Sequence, residues 1–137
     1  MMGPGMRQSL VAYAGALLAL LVIDGVWLGL LMADTYRAWL GGMMLATPRW
    51  TPAVLFYLLY AGGLLVFAVL PALRAQRWRM AMGLGGLLGL VAYGTYDLTN
   101  LATLKQWPWV LTVVDLAWGT LLSALAAGAA YAAGRRV

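Results

Sequence analysis

The sequence predicts an all-α integral membrane protein, a four-transmembrane-helix bundle, on three observations. Of 137 residues, 64% are hydrophobic and only 9% charged. The mean hydropathy is +0.86. The apolar residues also fall in long continuous Leu/Ala/Gly-rich runs, without the alternation that lipid-facing strands of a barrel require. A soluble domain carries about 45–50% apolar and about 25% charged residues, so these charges could not cover a water-exposed globule. A soluble enzyme and a disordered segment are excluded. A nucleic-acid-binding module is excluded too: although the net charge is +5, the nine Lys and Arg are scattered among apolar runs and form no basic face.

Crossing about 30 Å of hydrocarbon takes roughly 20 mainly apolar residues. The runs at 9–32, 51–72, 80–104 and 108–132 meet that length within one integral membrane domain, 1–137. The first run follows Arg7, as a signal peptide would, but it exceeds an h-region of about 7–15 residues and no A-x-A site follows, so it reads as retained. Arg7, Arg74, Arg77, Arg79, Arg135 and Arg136 fall on one side of the spans, against Arg37, Arg49 and Lys105 on the other. The positive-inside rule then puts both termini in the cytoplasm, as an even number of spans would, and the expected location is a bacterial cytoplasmic (inner) membrane. Trp39, Trp50, Trp107 and Trp109 mark the outer ends and Trp78 an inner one.

The connections differ in kind. Lys105–Trp107 is a tight turn, with Pro108 expected at the first helical position. Residues 34–50 are too many for a simple turn. There Tyr36, Trp39 and Leu40 fit an interfacial helix ended by Gly41-Gly42, or else an irregular loop. Gly25/Gly29 and Gly85/Gly89 are GxxxG pairs, and Ala124 to Gly128 continues the spacing. Such pairs let backbones approach within or between chains, so a homo-oligomer or a membrane-protein partner is compatible with them.

Three of the four acids, Asp24, Asp97 and Asp115, lie inside spans, where charge is costly and faces the protein interior or a wet cavity. At about 1.5 Å per residue each falls about 11–12 Å below the outer end of its span, which predicts one acid layer. Tyr93 and Asn100 share the face of Asp97. Tyr96 is adjacent, Tyr57 and Tyr60 reach comparable depth, and Trp27 and Trp118 each follow an acid by three residues. Since their helices run in opposite directions, Trp27 is expected above the layer and Trp118 below it. These ten residues make up the expected polar pocket.

Tyr96-Asp97-Leu98-Thr99-Asn100, with Asp24-x-x-Trp27-Leu28-Gly29 and Asp115-x-x-Trp118-Gly119, resembles the family called domain of unknown function 2177 over nearly the whole chain. The resemblance implies a small multi-pass membrane protein and adds no catalytic assignment.

The chain has no His, no Cys and no Glu. Ordinary haem ligation and typical zinc or iron–sulfur sites are therefore closed to it, three Asp beside Asn100 are few ligands for a dry calcium cage, and no cofactor or metal is expected. No phosphate loop, dinucleotide fingerprint or nucleophilic serine motif occurs. Three functions fit what remains. The first is a pocket in the outer half of the bilayer that binds, or binds and modifies, an apolar or lipid-derived ligand. The second is a small proton- or cation-coupled transporter using Asp97, against which the acids lie off the midplane. The third is a structural or accessory subunit, in which the acids fix helix register or pair with Arg37, Arg49 or Lys105.

Overall fold

A computed structural model describes residues 3–137. Helix α1, Met6–Leu31, is α-helical to Val26 and then widens into a π turn over Trp27–Leu31, with the Met32 N–H donating to the Trp27 carbonyl at 2.8 Å. A short helix α2, Ala33–Leu40, follows directly and stops at Gly41, whose φ of 57° suits a residue without a Cβ. Helix α3, Trp50–Ala75, has its own π turn over Leu65–Val69, just before Pro71. Proline there has no N–H to donate, and its ring crowds the carbonyl four residues back, so the ladder widens around it. At the end of α3 the chain turns through Gln76 at φ 56°. Gln76 and Arg77 return their N–H groups to the Leu73 and Ala72 carbonyls at 3.3 and 3.1 Å, which caps the helix. Helices α4, Trp78–Thr103, and α5, Trp109–Gly134, complete the chain, and Pro108 stands one residue before the first helical position of α5.

The expected fold needs correction. The runs at 9–32, 51–72, 80–104 and 108–132 are all largely helical, but among the described residues only three helices are both long and apolar enough to cross a membrane: α1, α3 and α5. The long helix α4 does not qualify. Its first half is rich in glycine, which adds length but little apolar surface, and its second half carries Thr95, Tyr96, Asp97, Thr99, Asn100 and Thr103. Three qualifying helices replace the even number that put both termini in the cytoplasm, and that placement falls with it. The segment read as either an interfacial helix or an irregular loop is a helix over Ala33–Leu40, and Tyr36 near its middle is buried.

Helix α5 is the centre of the packing, running antiparallel to both α1 and α4, with α3 against α1 and α4. The core is made of small side chains: Ala12, Ala16, Ala61, Ala126, Ala127 and Ala130 are all fully buried. Small residues bring helix backbones close, which is how helices associate where surrounding lipid is as apolar as they are. Gly85 and Gly89 use this freedom, because a Cβ at Gly85 would stand 2.6 Å from the Ala127 Cβ and one at Gly89 would stand 2.5 Å from the Ser123 Oγ. The Gly25/Gly29 pair has open space around both residues. Large apolar residues such as Leu30, Leu59 and Phe67 face outward, the surface of a membrane-embedded protein in contact with lipid.

Candidate functional site

The site is built at the end of the bundle where α1, α2 and the start of α5 meet. The antiparallel register of α1 and α5 is set lower down, where Gly15 sits on Ala130 and Gly134 on Ala12. Carried upward, that register brings Asp24 level with residues 121–122 and leaves Asp115 nearly two helical turns, ~10 Å, above it. The single acid layer expected from span ends is therefore two levels, and Asp97, whose carbonyl accepts from Thr112 Oγ1 at 3.4 Å, belongs to the upper one.

This offset lets each Asp-x-x-Trp segment serve the other. The Trp118 indole N–H donates to Asp24 Oδ1 at 3.0 Å, and the Tyr57 hydroxyl donates to Asp24 Oδ2. The Trp27 indole N–H donates to the Tyr36 hydroxyl at 3.0 Å, which in turn donates to Asp115 Oδ1 at 2.7 Å. The two indoles stack, with centroids 4.1 Å apart and planes 7° from parallel. Trp27 and Trp118 are thus face to face rather than above and below the acids. Burial, and then the bond to Asp115, pushes the Tyr36 phenol well above its usual range, so it remains a proton donor.

Around these groups lies a cavity of about 570 Å³, within the span of roughly 300–1,000 Å³ usual for small-molecule sites. Asp24, Asp115, Trp27, Trp118 and Tyr57 line it, as do Tyr93 and Tyr96. Tyr93 lies flat against Gly119, where any side chain would displace the ring. Tyr96 meets Trp107 edge to face at 5.6 Å.

The other three expected residues lie outside the wall. Tyr60 is buried in the core with its hydroxyl 2.5 Å from Ser123 Oγ. Asn100 is half-buried and away from the cavity. Asp97 is fully buried, and both of its carboxylate oxygens are without a hydrogen-bond partner. The side chains that act on its carboxyl are those of Asp115 and Trp107. Arg37, Arg49 and Lys105 are exposed and none lines the cavity, so the expected pairing of the wall acids with basic loop residues does not occur.

Sequence reasoning missed Tyr36, Trp107 and the apolar wall of Leu28, Leu40, Met44 and Phe56. The signal for Tyr36 was its place on a helical pattern in a segment too long for a turn. Chemically, the cavity offers carboxylates and phenols as hydrogen-bonding groups on an otherwise apolar and aromatic surface. It can orient a polar head and shelter a tail.

A family model described as "Predicted membrane protein (DUF2177)" matches residues 9–132. No curated protein and no solved structure matches the chain.

Proposed function

We propose, for a chain that belongs to the DUF2177 family of predicted membrane proteins, that the cavity binds an apolar or lipid-derived ligand. The observation that carries this reading is the placement of Asp24 and Asp115 on the wall of a cavity of about 570 Å³ whose other residues are apolar or aromatic. A purely structural acid is enclosed by its partners, whereas Asp115, which accepts from Tyr36 through Oδ1, stays partly exposed on the cavity wall. The π turn at Trp27–Leu31 supports the reading as well. Such turns recur at functional sites, and this one presents both Trp27 and Leu28 to the cavity.

A register-fixing role is favoured at Asp24 alone, because Tyr57 and Trp118 occupy both of its oxygens and tie α1 to α3 and α5. The ligand reading therefore places the head group at Asp115. A helical build rather than a barrel supports a bacterial cytoplasmic membrane as the location.

Native mass spectrometry of the detergent-extracted protein tests the proposal. The expected spectrum contains a small amphiphile bound one per chain, and Ala92→Phe, which fills the cavity from its wall, abolishes that peak while the protein remains folded. A ligand-free spectrum under gentle extraction, or a peak indifferent to Ala92→Phe, would overturn it.

A further inference from the structure

The cavity carries acidic groups that its own walls leave without a counter-charge. Asp24 and Asp115 line it, and none of the chain's nine Lys and Arg does. The partners of both acids are neutral donors, Tyr57 and Trp118 for one and Tyr36 for the other. Close to Asp115 and Trp107, Asp97 is 0% exposed and neither of its carboxylate oxygens has a hydrogen-bond partner within normal geometry. Carboxyl groups in apolar surroundings are costly unless a charge or enough donors match them. At Asp24 two donors do much of this. At the Asp97–Asp115 end the one hydrogen bond to a carboxylate oxygen is that of Tyr36 to Asp115.

The rest of the wall points the same way. Half of the lining residues are aromatic, and aromatic faces attract cations, most strongly where water is excluded. The stacked Trp27 and Trp118 form a two-ring slab beside the acids. A phosphate, sulfate or carboxylate head would meet acids here and no basic side chain.

We infer that the ligand is a cationic amphiphile, whose protonated amine or quaternary ammonium head sits between Asp115 and the Trp27–Trp118 stack and whose apolar tail runs along Leu28, Leu40, Met44 and Phe56. The inference rests on the reading of the cavity as a ligand pocket and names the chemical class of the head.

Three probes separate the two ideas: octyltrimethylammonium and octyl sulfate, both water-soluble, and the uncharged hydrocarbon isostere with a tert-butyl group in place of trimethylammonium, carried in the micelles and compared at equal micellar concentration. Each is titrated into the full chain in nonionic maltoside micelles and followed by tryptophan emission, with empty micelles and Ala92→Phe as controls. The cation is expected to bind about tenfold more tightly than the isostere, with octyl sulfate weakest. In Asp115→Asn that advantage should fall at least about threefold while binding of the isostere holds. Because the isostere comparison needs no variant, the test survives if Asp115→Asn does not fold. An advantage below about fivefold, a preference for octyl sulfate, or an unchanged ratio in folded Asp115→Asn would overturn the cationic head and leave the pocket standing. Failure of all three probes to bind wild type saturably above the Ala92→Phe background would overturn the pocket itself.

Discussion

The indole of Trp27 lies on that of Trp118, 4.1 Å between centroids and 7° from parallel, yet each ring's N–H serves the acid of the other segment. Trp118 reaches Asp24 directly, and Trp27 reaches Asp115 through Tyr36. The stack and the two hydrogen-bond chains are thus one unit joining α1, α2 and α5. Trp118→Phe keeps a ring for stacking and removes the donor to Asp24, and it should cost about 1–2 kcal/mol in denaturant unfolding from mixed micelles. The double variant with Trp27→Phe should deviate from the sum of the singles by about 1 kcal/mol. Strict additivity would show that the two hydrogen-bond chains are independent of each other.

Tyr36 predicts a specific response to alkali. Its folded-state pKa is raised above the ordinary value of about 10, first by burial and then by the hydrogen bond to Asp115. Folded protein therefore holds a proton that unfolded protein has released, so its contribution is complete below about pH 10 and is lost as pH rises further. The wild type should lose stability above that pH, and Tyr36→Phe should lose less over the same interval. Parallel alkaline curves for the two proteins would contradict the assignment.

The contact of Tyr93 with Gly119 leaves no room for a Cβ. Gly119→Ala should destabilise by about 1–3 kcal/mol, as overpacking does. Tyr93→Leu in the same chain should recover part of that loss. If the second change deepens the loss, the ring is not what the alanine meets.

Asp97 is buried with neither carboxylate oxygen satisfied, and replacing it with an apolar side chain of similar shape should stabilise the protein. Asp97→Leu is expected to gain about 1–3 kcal/mol, the usual cost of an unsatisfied buried polar group, measured by the same unfolding assay. A loss of similar size would mean that the acid has a partner on which the fold depends.

How far the fold was legible depended on the kind of inference. Apolar run length placed every long helix within a few residues, since the run and the helix obey the same 1.5 Å rise. It misjudged α4, where glycines lengthened the run without making it apolar enough to span. Counting depth from span ends also put Asp24 and Asp115 at one level. Their real offset is set by where Gly15 meets Ala130 and Gly134 meets Ala12, contacts that no single helix pattern encodes. Seven of the ten expected pocket residues do line the cavity, because an acid or aromatic at membrane depth has few places to go. Tyr60, Asn100 and Asp97 lie on the neighbouring helices but do not line the cavity. Tyr36 was visible only as part of a helix in the first connection, and its bond to Asp115 spans 79 positions.

Photolabelling in membranes tests most directly whether the cavity holds an apolar ligand. An alkyl chain bearing a terminal diazirine and an ammonium head is irradiated with the full-length protein in native membranes, and labelled positions are mapped by peptide mass spectrometry. Saturable labelling is predicted at Leu28, Leu40 and Met44 on the cavity wall, suppressed by excess unlabelled amphiphile and by Ala92→Phe. Labelling confined to outward residues such as Leu59 and Phe67, rising without saturation, would show that the chain touches the protein only as bulk lipid does and would contradict the account.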